Sequence, residues 1–238
     1  MRSPGPVKLG EVKFAAALFA AAALALPGPA AATPLICIDP GHDATPDLST
    51  ERIGPGSTTY KIKDGGGASG EAKVVLQIGF KLRTLLLNRG YRVAMTRTTD
   101  EFTYGNRGNI ARAMFCNRRA SALMVRIHAD GSTDSSRHGV STLYPAWHFG
   151  WTDDILPASR RAARIVQAKV VAATGAKDLG LVRRADLTGF NWANVPVVLV
   201  ETGFMTNPTE GSRLRHSRYQ WKVARGLARG AAAFAPLG

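Results

Sequence analysis

Four side chains of this sequence are of the kinds a metal-dependent hydrolase uses: His42, Glu71, His128 and Glu201. A hydrolytic zinc takes about three protein ligands and keeps a fourth position open, and two histidines with one glutamate form a recurrent set. His42, Glu71 and His128 make up such a set. Glu201 adds a carboxylate able to take a proton from an attacking water. Unlike the histidines of a compact H-E-x-x-H helix, these residues are scattered along the chain, so spacing alone does not bring them together. A single loop histidine is ordinarily a surface residue, and a glutamate opening a helix is favoured by the macrodipole whatever else it does. The residue types raise a metal site and leave it open.

Hydrophobic periodicity gives the elements that must position them. Leu35 to Asp39 is a short apolar run closed by Pro40-Gly41, which predicts a central strand with His42 on the loop at its carboxyl end. Residues 43–70 are rich in Gly, Ser, Thr, Pro and Asp, predicting a mobile loop or small hairpin. Val74, Val75, Ile78, Leu82, Leu85 and Leu86 then recur at helical spacing until Asn88-Arg89-Gly90, predicting an amphipathic helix over 71–89 with Glu71 in its first turn. Strands are predicted at 91–96, 122–127, 139–144 and 195–200. Helices are predicted at 105–116, 157–174 and 209–234, the last with Leu214, Trp221, Leu227 and Phe234 inward, while 147–156 is expected to lack regular structure. His128 and Glu201 then fall just past the ends of their strands. Strands alternating with long helices predict an α/β fold: a single layered domain with a largely parallel central sheet flanked by helices, binding ligands beyond the carboxyl ends of its strands.

The first residues read differently. Arg2, Lys8 and Lys13 precede an apolar run from Phe14 to Leu26, shorter than the roughly 20 residues of a membrane span, and small residues end at Ala32. Residues 1–32 are therefore expected to be a signal peptide and 33–238 one catalytic domain, placing the protein outside the cytoplasm, in the periplasm or cell wall. An uncleaved anchor is the alternative. The chain carries 31 Lys plus Arg against 17 Asp plus Glu, a net charge of +14. Such a surface attracts polyanions; with no nucleic-acid module in view, the expected partner is an anionic wall polymer or membrane surface and not nucleic acid. An oxidising compartment permits Cys37 and Cys116 to form a disulfide, the alternative being two buried thiols.

Five segments occur in order: I-C-I-D-P-G-H at 36–42, G-E at 70–71, R-G-Y-R-V-A-M-T-R at 89–97, I-H-A-D at 127–130 and V-E-T-G-F-M-T-N at 200–207. Together they resemble the zinc-dependent N-acetylmuramoyl-L-alanine amidases over nearly all of residues 33–238. The resemblance implies zinc bound by His42, Glu71 and His128, with Glu201 of the E-x-G-F motif as catalytic residue. It implies hydrolysis of the amide between N-acetylmuramic acid and L-alanine in peptidoglycan or muropeptides. A zinc peptidase acting on stem-peptide bonds, or a wall-binding protein of the same fold without turnover, would share most of these residues.

Two positions depart from the family's pattern, Asp43 after the first histidine and Arg126 two residues before the second. Arg126 is expected on the strand face opposite Ile127, near an anionic substrate or a carboxylate. Asp39 is expected to orient a ligand histidine or its loop. His138, His148 and His216 match no motif and read as surface residues. Arg183, Arg184 and Asn191 could line the cleft or belong to a solvated loop, and Trp192 and Phe204 could stack on substrate or sit in the core. No stretch of 43–70 or 147–156 suits a helix able to plug the site, so an open cleft is expected; no exposed apolar stripe is evident in the sequence, so a monomer is expected.

Overall fold

The computed structural model describes Met1, residues 32–100 and residues 108–238. Most of the leader expected over 1–32, and the first residues of the helix expected from Gly105, lie outside the described residues. The elements are β1 (Leu35–Pro40), β2 (Asp47–Arg52), β3 (Tyr60–Asp64), α1 (Glu71–Leu87), β4 (Arg92–Met95), α2 (Asn109–Asn117) and β5 (Leu123–Asp130). After them come β6 (Val140–Pro145), α3 (Leu156–Thr174), β7 (Asp178–Arg184), α4 (Thr188–Asn191), β8 (Val197–Phe204), α5 (Pro208–Arg215) and α6 (Ser217–Phe234). Among the described residues, six strands form one sheet in the order β4-β1-β5-β8-β6-β7, and β2 pairs with β3 in a separate antiparallel hairpin.

The sheet is buried on both faces, so its central strands are near-continuous apolar runs instead of alternating ones. Alternation then sorts side chains between two cores. Ile36, Ile38, Val125, Ile127, Val198 and Val200 enter one core with α1, α3 and α6, whereas Leu35, Cys37, Met124, Val197 and Leu199 enter a second with Cys116 of α2 and Phe190 of α4. Counting by twos, Asp39, Arg126, His128 and Glu201 share the face of the second core. This places the reactive groups on the side that the three long helices do not cover. Behind the sheet α3 and α6 meet closely: a Cβ at Gly226 would stand 2.6 Å from Val170 Cα, and one at Gly230 2.9 Å from Val166 Cα.

The sheet is largely parallel, as expected: β4, β1, β5 and β8 run parallel, and β6, antiparallel to β8, carries β7 parallel to itself. Other expectations are corrected. β7 was not foreseen because its residues D-L-G-L-V-R-R are half exposed at the sheet edge, where charge rather than apolar alternation guards against mispairing. The helix expected over 209–234 is two helices, parted at His216, whose backbone is extended at φ −90° and ψ 128°. α5 has its own start, with the Asn207 side chain accepting from the N–H groups of Thr209 and Glu210 and Pro208 at its head. Trp221 is half exposed beneath Lys81, while Leu214, Leu227 and Phe234 are buried as expected.

Cys37 and Cys116 form a disulfide joining β1 to α2 across 79 residues of sequence. Closing a loop of that size should stabilise the fold by about 2–4 kcal/mol, chiefly by restricting the unfolded chain. Denaturant titration with and without reductant measures this; identical midpoints would show that the bridge constrains nothing the core does not already fix.

Candidate metal centre

The site is built from β1 outward. His42 follows the strand at φ 55°, a left-handed conformation uncommon outside glycine. Its loop is held by two buried arginines. Arg97 donates to Pro40 O at 3.1 Å, Gly41 O at 2.9 Å and Ala72 O at 2.6 Å, and Arg112 donates to Pro40 O at 2.7 Å and His42 O at 3.1 Å. Those charges are balanced: Asp39 accepts from Arg112 at 2.9 Å, from Arg126 at 2.7 Å and from the Thr96 hydroxyl at 2.6 Å, and Asp43 lies 3.2 Å from Arg112. Burial works against the Asp39 charge, but the two guanidiniums outweigh it and hold the carboxyl well below the usual range. Asp39 therefore shapes the loop through arginine, not by touching a histidine, and Arg126 meets this carboxylate, on the face opposite Ile127.

Past that frame the three candidate ligands converge. His42 Nε2 and His128 Nδ1 each lie 3.3 Å from Glu71 Oε1, and one ligand atom from each of the three residues falls within 4.8 Å of the others. The imidazole rings stand edge to face with centroids 4.9 Å apart. Glu71 is fixed by two backbone donors, Ala68 N–H at 2.9 Å and Ala129 N–H at 3.0 Å. His42 Nδ1 lies 2.5 Å from Asp64 Oδ1 at the end of β3, which leaves Nε2 facing the cluster. Both His128 and Glu201 lie inside strands that run further than expected, and they are register partners on β5 and β8, next to an irregularity before Asp130.

Both donor separations measured from Glu71 fit a tetrahedral zinc. Ligand atoms ~2.0–2.1 Å from such an ion stand about 3.3 Å apart, the separation seen on both sides of Glu71 Oε1. Two further observations agree. Glu201 Oε2 is buried with no hydrogen-bond partner among the described residues, an arrangement costly without something to engage it. A Cβ at Gly67, whose φ is 66°, would collide with the Glu71 carboxylate and stand 2.8 Å from His42 Nε2, so glycine keeps that space clear. Burial lowers the His42 imidazole, but Asp64 and Glu71 outweigh it and raise it to about 9, so below that pH a cation there competes with a proton. Burial keeps His128 lowered and therefore neutral. Burial, with Glu71 and Asp130 adding to it, pushes the Glu201 carboxyl well up.

The cleft over these groups, about 480 Å³, is lined by His42, Gly67, Glu71, His128, Asp130 and Glu201 among others, Glu71 being its one helical residue among those described. Residues 36–233 match the family model described as N-acetylmuramoyl-L-alanine amidase. The chain belongs to this family. Zinc dependence is general to it. Among its relatives, the amidase Rv3717 of Mycobacterium tuberculosis is 31% identical, over 90% of this chain and 94% of that protein. LytC of Bacillus subtilis is 30% identical over 81% of this chain, which spans 34% of LytC's length. The crystal structure of the amidase Ami1 from Mycobacterium smegmatis matches with a TM-score of 0.75 at 26% identity, covering 85% of this chain and 96% of that one.

Other expectations resolve less centrally. His138, His148 and His216 are exposed. Asn191 is buried and donates to Ile53 O and Ala185 O, Trp192 donates to Arg52 O, and Phe204 is core. Arg184 does reach a cleft beside Glu201. Asp64 went unread because it sits in a polar stretch with no periodicity; its only signal was a charged residue before Gly65-Gly66-Gly67. Asp64 accepts from Gly66 N–H on Oδ1, the oxygen that also meets His42 Nδ1, and from Asp43 N–H on Oδ2. Asp64→Asn, with a single acceptor oxygen, should lose one of these loop contacts, leave the hydrophobic core intact and weaken metal affinity ~10–100-fold. Competition with a chelator reads this out, and unchanged affinity would remove Asp64 from the site.

Proposed function

We propose that this protein is an exported zinc-dependent N-acetylmuramoyl-L-alanine amidase, cleaving the amide that joins N-acetylmuramic acid to L-alanine of the peptidoglycan stem. His42, Glu71 and His128 hold the zinc, and Glu201 is the base. Bound there, zinc polarises the amide carbonyl and makes water acidic enough to react near neutral pH. Glu201 takes the proton of the water whose oxygen attacks the carbonyl carbon. It returns that proton to the alanine nitrogen as the C–N bond breaks, leaving the lactyl carboxylate and a free amine. The observation that carries this reading is the convergence of three donors beside the unpartnered Glu201 Oε2 in one cleft.

Export rests on the leader pattern of residues 1–32, and none of the described helices is long and apolar enough to cross a membrane. The basic surface then keeps the secreted monomer near its anionic wall. Digestion of defined muropeptides, with the fragments weighed, tests the reaction. Release of an intact stem peptide with free N-terminal alanine is expected; cleavage only within the peptide would make the protein a zinc peptidase, and binding without products a wall-binding protein.

A further inference from the structure

The cleft does not stop at Glu201. A second trough of about 410 Å³ shares Asp130 and Glu201 with it and extends over β6 to the edge strand β7. Register explains the continuity. Ser141 is paired with Glu201, Leu143 with Val182, and Pro145 with Arg184, so these side chains lie on the face that carries His128 and Glu201.

Two cations stand in this trough, Arg184 on β7 and Arg137 just before β6. Arg184 is braced by Asp186, donating from Nε and Nη2 at 2.7 Å each, while Lys61 donates to the same carboxylate at 3.1 Å. This orients the guanidinium and uses two of its five donors; Nη1 has no partner among the described residues. Arg137 is exposed, 5.1 Å from the Phe204 ring centroid, and its guanidinium makes no hydrogen bond or ion pair among the described residues. Leu179 and Val182 add exposed apolar surface between them. The near end is negative, with Asp130 and Glu201, and the guanidiniums lie beyond, so an anion in this trough is favoured only away from the reacting centre.

Resting on the amidase reading, we propose that this trough receives the stem peptide, and that Arg137 and Arg184 select peptides bearing a free carboxylate. The two sides of the scissile amide differ in charge. The acyl side leads into neutral sugar, whereas the amine side leads into a peptide with ionised side chains, and planar guanidiniums match carboxylates by paired hydrogen bonds.

Two synthetic muropeptides test this, identical except that the second stem residue carries either a carboxylate or a carboxamide. The wild-type enzyme should favour the acid about tenfold, in KM rather than kcat, a difference worth ~1.4 kcal/mol. R137A and R184A should each bring the ratio of the two substrates towards one, and R137K should recover part of it. Equal KM values for the wild type, or variants that weaken both substrates alike, would overturn the assignment and give the trough to glycan or to scaffold. Failure of the wild type to cleave either substrate at the muramoyl–alanine bond would instead overturn the amidase reading itself.

Discussion

Glu201→Gln should keep a full complement of metal and lose kcat by about 10²- to 10⁴-fold, the contribution of a positioned acid–base group. The amide has the shape of the carboxylate but cannot take a proton, so substrate should bind with little change in KM. Without a cation, burial followed by the charges of Glu71 and Asp130 keeps the Glu201 carboxyl protonated well above its ordinary range. A dication at the neighbouring donors reverses that balance by favouring the charged form. The base is thus expected to be competent only when the site is loaded. Metal analysis beside steady-state kinetics on a muropeptide decides the matter. A fully active Glu201→Gln enzyme would strip this residue of its role and leave proton transfer to another group.

His128→Ala should lose both metal and turnover. Its imidazole is one of three donors, lies 3.3 Å from Glu71 Oε1, and has its other nitrogen buried without a partner. Deleting it leaves two donors, fewer than the three of hydrolytic zinc sites. Affinity should fall by more than the ~10–100-fold expected for removing an outer partner such as Asp64. The contrast between the two variants is informative: Asp64→Asn should regain turnover as zinc is raised, and His128→Ala should not. Stoichiometric metal in purified His128→Ala, with activity retained, would sink the three-donor centre.

Much of this arrangement was legible because function and folding leave different marks. The strands that carry His42, His128 and Glu201 are apolar runs, and α1 has a clean helical period, so their order and the placing of Glu71 at a helix start could be read locally. What could not be read is set by tertiary context. Edge strand β7 lacks the alternation of a half-buried strand, and the break at His216 interrupts a helical period that continues on both sides. Asp64 gains its meaning only when the β2–β3 hairpin folds over the loop. Asp43 and Arg126, the two departures from the family's pattern, belong to a buried charge network with Asp39 and Arg112, a relation between residues far apart in sequence.

The glycine seam between α3 and α6 reverses an ordinary rule of protein engineering. Replacing glycine by alanine inside a helix commonly gains ~0.5–1 kcal/mol, because the unfolded chain loses freedom. At Gly226 and Gly230 the added methyl group would press on the Val170 and Val166 backbone, so the same exchange should pry the two helices apart. Since this seam lies across the sheet from the reacting groups, its effect belongs in the melting temperature and not in the rate. Heat resistance and chemistry can therefore be tuned on opposite sides of one sheet.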